Sequence, residues 1–154
     1  RIESFLQPFE DMSGKGWQVA NSLFAISSGG MFGVGFGKSA QKFFYISEPQ
    51  NDFIFAVIAE ELGFFMCMGI ILVFIFLIFK MFRVALQTRD IFGRMLVIGI
   101  AVQIGVQVFL NIGVATSSVP NTGVGLPFIS YGGTSILMFL FMIGIVLNVS
   151  RNRN

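Results

Sequence analysis

Residues 52–79 read DFIFAVIAEELGFFMCMGIILVFIFLIF. From Leu62 to Phe79 the stretch carries 18 residues without a charge, the length at which an apolar run reads as a membrane-spanning helix. Extended back to Phe53 it is about 40 Å long at the helical rise, enough to cross a bilayer with some tilt. The rest of the chain has the same character: 55% of its 154 residues are hydrophobic and 20 are Phe. The mean hydropathy is +0.81, well outside the range of soluble domains. Downstream, residues 95–150 contain no charged side chain. That run is too long for one span, and Pro120 and Pro127 bracket an uncharged PNTGVGLP that divides it into two spans joined by a turn. The expected fold is therefore an all-α polytopic membrane helix bundle. Its membrane domain covers residues 53–154, with spans near 53–79, 94–115 and 132–150. Because residue 1 is Arg, the chain is expected to be a fragment of a longer protein, and three spans a lower bound.

Charge gives an orientation. Lys80, Arg83, Arg89 and Arg94 flank the connection between the first two spans, and Arg151 and Arg153 follow the third. Three spans put both groups on one side, which the positive-inside bias makes cytoplasmic. The PNTGVGLP turn and residues 1–52 then face outward, with Asp52 at the outer lip of the first span. The chain has no His and one Cys, Cys67, which excludes a zinc site and a His-dependent triad. Cys67 lies inside a span and reads as a small apolar filler. The net charge of +2 comes from separated basic groups, not the contiguous patch that a nucleic-acid partner needs.

Residues 1–52 are a different material, Gly-rich and of mixed charge. The stretch WQVANSLFAISSGGMFGVGFG is apolar in patches but broken by Asn, Ser and Gly. An interfacial or re-entrant segment packed on protein fits this better than a lipid-exposed span. Gly29, Gly33 and Gly37 recur every fourth residue; this spacing allows close helix contact if the segment is helical, and a flexible loop is the other reading. GVGFGKS imitates a phosphate-binding loop, but Phe32 stands where the first glycine of that motif belongs.

Four carboxylates gather at the mouth of the first span: Glu48, Asp52, Glu60 and Glu61. Asp52 follows the helix-averse EPQN and sits where an N-cap belongs. Glu60 and Glu61 lie about 12 Å deeper, where an ionisable group normally faces a bundle interior or a wet cavity. In the second span Gln103, Gln107 and Asn111 repeat every four residues, which places three amides on one face. Bonds between helices explain such a row, and a polar cavity is the alternative. Asp52 has a plain structural reading as a helix cap. Convergence argues for more: a carboxylate, a helix N-terminus, and Lys38 and Lys42 upstream all meet at one outer lip. Helix N-termini and lysines suit phosphate or diphosphate, and a carboxylate beside them could take a proton from a sugar hydroxyl. With lipid adjacent, the combination points to a sugar linked to a lipid diphosphate and handled at the outer face. The dipole and the lysines favour the ionised carboxylate and weaken Asp52 as a base, whereas desolvation by an apolar substrate acts the other way.

Three motifs carry a resemblance: the stretch from GWQVANSLFAISSGG through EPQNDFIFAVIAEELGF, then DIFGR, then NIGVATSSVPNTGVGLPFISYGGTS. They are long, cover nearly the whole chain, and resemble the SEDS family of peptidoglycan polymerases, the FtsW/RodA/SpoVE type, with wording nearer the FtsW/SpoVE branch. The resemblance implies a bundle of about ten spans, of which these residues supply the C-terminal three and the large extracytoplasmic loop. It implies glycosyl transfer between lipid II molecules in the bacterial cytoplasmic membrane, with undecaprenyl diphosphate as leaving group. The family's essential loop aspartate falls on Asp52, which becomes the expected general base. Lys38, Lys42, Glu48, Ser130 and Tyr131 are the expected substrate-binding residues; Glu60, Glu61, Gln103, Gln107 and Asn111 form the expected polar bundle interior. A class B penicillin-binding protein and other division or elongation proteins are the implied partners. No cofactor is required by this reading, and a divalent cation is compatible with it. The chain departs from the family pattern at Ile46-Ser47, where Leu-Pro is usual, and at Ser117-Ser118-Val119, where small apolar residues are common. Two other functions remain open from sequence: a lipid II transporter, which would depend on Glu60, Glu61 and the amide row, and a scaffold for a transpeptidase, which would not need Asp52.

Overall fold

The computed structural model describes residues 15–35, 54–120 and 122–151. They form four helices, α1 (Lys15–Gly29), α2 (Ile54–Gln87), α3 (Ile91–Ala115) and α4 (Gly133–Arg151), with no strand among the described residues. Three of them, α2, α3 and α4, are long and apolar enough to cross a membrane. Burial is distributed as a bilayer demands. Ala56, Ala85, Ala101 and Ala115 are fully buried between helices, while Phe64, Phe65, Leu72, Phe76 and Phe79 are all more than half exposed. Large apolar side chains lie on the outside of this bundle, and small ones let the backbones approach. The chain is thus a multi-pass membrane protein whose spans pack α2 on α3, with α4 alongside and α1 laid against the N-terminal part of α2.

The α2 helix runs to Gln87 rather than ending at Phe79, because Lys80 and Arg83 do not stop it. Their cations lie over the rings of Phe76, at 5.2 Å, and Phe79, at 5.6 Å, so the apolar stems stay on the helix surface while the charges reach the interface. Only Thr88, Arg89 and Asp90 separate α2 from α3. Asp90, in extended conformation, caps α3 by accepting from Gly93 N–H at 2.7 Å. Arg94 Nη2 donates back to the Thr88 carbonyl at 2.8 Å. These bonds close a tight antiparallel hairpin.

The opposite end of α3 is closed by a Schellman turn. Ser118 N–H donates to the Gly113 carbonyl at 2.7 Å and Ser117 N–H to Val114 at 3.1 Å. The left-handed position (φ 55°) is taken by Ser117, where glycine is usual. The following loop folds back on the bundle: Leu126 and Pro127 are buried, and Leu126 N–H donates to Ser130 Oγ at 2.6 Å. The Phe128 ring rests on Phe139 of α4 at 5.2 Å.

Candidate functional site at the Gly63 end of the bundle

One end of the bundle collects the C-terminus of α1, the first turns of α2, the last turns of α3 and the loop before α4. Its organising feature is a break in α2 at Gly63, whose backbone (φ 77°, ψ −177°) is not helical. In an unbroken helix Phe64 and Phe65 N–H would donate to the carbonyls of Glu60 and Glu61. Here those carbonyls accept instead from Val34 N–H at 2.9 Å and Gly35 N–H at 3.1 Å. The released Phe64 and Phe65 amides donate to Gly30, at 3.0 Å, and Met31, at 3.4 Å. Two segments exchange backbone partners and leave none of these groups orphaned, as irregular backbone in a membrane protein requires. Gly33 (φ 79°) faces Gly63 across this clasp; a Cβ on either would run into the other segment's backbone.

Two further contacts tie the same end together. Ser22 of α1, fully buried, donates from Oγ to the Ala115 carbonyl of α3 at 3.2 Å. Asn111 of α3, also fully buried, donates from Nδ2 to the Val124 carbonyl of the loop before α4 at 2.8 Å. The three helices and the loop thereby become one platform.

The residues singled out from sequence separate into groups. Asp52, Lys38, Lys42 and Glu48 lie outside the described residues, with Asp52 two positions before the first residue of α2. Glu60 and Glu61 are both buried in α2 just above the break, 3% and 8% exposed. One Glu61 carboxylate oxygen, Oε1, is buried with no hydrogen-bond partner among the described residues. The amide row is graded: Asn111 is buried and bonded to the loop, Gln107 is half-buried, and Gln103 is exposed. Ser130 is buried with its hydroxyl engaged by Leu126, whereas Tyr131 beside it is 79% exposed. No group of three or more His, Cys, Asp or Glu able to hold a metal ion occurs among the described residues.

Sequence reading did not single out Ser22 or Gly63. Gly63 stands two positions after the paired glutamates, and a glycine within an otherwise strong helical run was the available signal. Behind the clasp lies a cavity of about 250 Å³ lined by groups that include Ile26, Phe55, Phe64, Ile112 and Thr116. With almost no polar lining it suits hydrocarbon, not sugar.

Comparison with known proteins fits this arrangement. All 154 residues match the family of FtsW, RodA and SpoVE, described as cell cycle proteins. The chain is 50% identical over 151 residues to stage V sporulation protein E of Bacillus subtilis, covering 98% of this chain and 41% of that protein. It is 48% identical over 150 residues to the probable peptidoglycan glycosyltransferase FtsW of the same organism, covering 97% and 37%. Among solved structures, a chain of a peptidoglycan synthase complex that coordinates polymerization and crosslinking superposes with a TM-score of 0.77 at 31% identity, over 99% of this chain and 41% of that one. The rod shape determining protein RodA of Thermus thermophilus, solved as an aspartate-to-alanine mutant, superposes with a TM-score of 0.67 at 36% identity, over 86% and 40%. The chain thus spans about two-fifths of the length of these relatives. With its whole length matched, its spans apolar and one end of its bundle built from the GGMFGVG, EELG and TGVGLPFISYGG stretches, the chain belongs to the FtsW/RodA/SpoVE family.

Proposed function

We propose that this chain is the C-terminal part of a peptidoglycan glycosyltransferase that polymerises lipid II at the outer face of the bacterial cytoplasmic membrane. The observation that carries the reading is family membership at 43–50% identity to curated relatives, most of them named probable peptidoglycan glycosyltransferases. Residues 1–52 form the extracytoplasmic loop, and the basic hairpin 80–94 and the C-terminus lie in the cytoplasm. Support for that orientation comes from charge: Lys80, Arg83, Arg89, Arg94 and Arg151 cluster at the end of the spans away from the clasp.

Asp52 acts as general base. The 4-hydroxyl of the acceptor GlcNAc gives its proton to the Asp52 carboxylate as its oxygen forms a bond to the anomeric carbon of the donor MurNAc. The bond from that carbon to the diphosphate breaks, and undecaprenyl diphosphate leaves with the electron pair. Lys38 and Lys42 offset the charge of the diphosphate, and Glu48, Ser130 and Tyr131 contribute to holding the substrate; the exposure of Tyr131 supports its share of that role. The polymerase works with a class B penicillin-binding protein that crosslinks the strands, a pairing supported by the synthase complex among the similar structures. The test is polymerisation of purified lipid II by the full-length protein. The wild type should make glycan strands and Asp52→Ala should make none. Strand synthesis by Asp52→Ala would overturn the assignment.

The buried Glu61 oxygen favours one second reading, lipid II transport, in which Glu61 and the amide row would be the sensitive groups. A lipid II translocation assay in vesicles separates the two: transport would survive Asp52→Ala and fail in Glu61→Gln.

A further inference from the structure

Resting on the reading of Asp52 as base, we propose that Gly63 is a positioning residue: by breaking α2 it hands the outer half of that helix to the α1 turn, which then sets where the head of α2 stands. In a continuous helix the orientation of residues 54–62 would be dictated by the membrane-embedded remainder through the i→i−4 ladder. That ladder is interrupted at Glu60 and Glu61, and the bonds pass to Gly30, Met31, Val34 and Gly35. The α1 segment is held to α3 in turn, through Ser22 Oγ and the Ala115 carbonyl. The head of α2 is therefore located by three elements meeting at the outer end and not by the axis of its own span.

The leverage is large. Gly63 lies nine positions after Ile54, about 13 Å of helix. A 10° swing about the break moves Ile54, at the head of α2, by roughly 2 Å, where about 1 Å of misplacement can lower a rate 100-fold. The clasp tolerates no side chain at its centre. An alanine at Gly63 would need φ near 77° and would press its Cβ into the backbone of residues 31–33. Outside the backbone bonds, the Phe32 and Phe65 rings lean on each other with centroids 5.6 Å apart.

The test is a double-mutant cycle in the full-length polymerase with lipid II as substrate. Gly63→Ala should lower kcat by about 10–100-fold while KM stays within about threefold. Gly69→Ala, six residues on in the same helix with open space at its Cβ, should change neither. In an Asp52→Asn background, Gly63→Ala should cause no further loss, because a positioning residue has nothing left to position. Should Gly63→Ala yield too little folded protein, Phe65→Ala carries the same cycle and should lower kcat by about 3–10-fold. Multiplying losses in the double variant, or a loss that only follows the folded fraction, would overturn the proposal. Near wild-type turnover by Asp52→Asn alone would instead remove the base assignment, whatever Gly63→Ala does.

Discussion

Asn111 Nδ2 donates to the Val124 carbonyl at 2.8 Å, so a side chain buried at the clasp end of the bundle holds down the backbone of the loop before α4. The loop so anchored leads to Leu126, Pro127 and Ser130, all buried, and then to the exposed Tyr131. An amide in a membrane helix thus serves as a tether for the loop; its contribution is to fix a shape as much as to add stability.

Replacing Asn111 by Leu removes the donor and leaves the Val124 carbonyl unmatched. A loss of about 1–3 kcal/mol is expected, read as a lower thermal midpoint of the purified protein, together with faster proteolysis of the 120–132 loop. Gln103→Leu, at an exposed position of the same row, should leave both readouts unchanged. Equal effects at the two sites would contradict the tether.

Ser117 occupies the left-handed position of the Schellman turn (φ 55°), and its Oγ is buried with no partner among the described residues. Ser117→Gly relieves both, and should raise stability by about 1 kcal/mol, measured as an upward shift of the thermal midpoint. A fall would show that the hydroxyl has a partner that outweighs the backbone strain.

The spans were legible in the sequence because a charge-free run of 18 residues leaves few alternatives, but the basic residues from Lys80 to Arg94 did not reveal that only Thr88, Arg89 and Asp90 form the connection. Periodicity also put Gln103, Gln107 and Asn111 on one face, but it could not tell which amide would be buried. That depends on where the loop lands, and the partner of Asn111 is 13 residues away at Val124. The clasp was illegible for a similar reason. Ala59, Glu60, Glu61 and Leu62 before Gly63 favour helix, and only a second segment some 30 residues upstream supplies the partners that satisfy a break. The repeated Gly29 and Gly33 were visible as points of close approach, yet only Gly29 is helical, and Gly33 approaches α2 from the turn that follows α1. Asp52, Lys38, Lys42 and Glu48 rest on sequence reading, since they lie outside the described residues.

Orientation is open to direct labelling. In cells, a cysteine introduced at Ser118 in a Cys67→Ala background should react with a membrane-impermeant thiol reagent applied from outside. One introduced at Arg89 should react only after permeabilisation. The reverse pattern would invert the topology and place the clasp and the Asp52 end of α2 on the cytoplasmic side, where externally displayed lipid II could not reach them.

The central claim is that Asp52 takes the proton, and one measurement bears on it most directly: steady-state polymerisation of lipid II by full-length Asp52→Asn, with lipid II binding measured on the same preparation. Asn caps a helix about as well as Asp, so the fold and the start of α2 should be preserved. Binding should hold or tighten, because a negative charge near a diphosphate has been removed. Turnover should fall by about two to four orders of magnitude, the usual contribution of a positioned acid–base group. If Asp52→Asn binds and polymerises lipid II at close to the wild-type rate, Asp52 is a helix cap and the proton goes elsewhere.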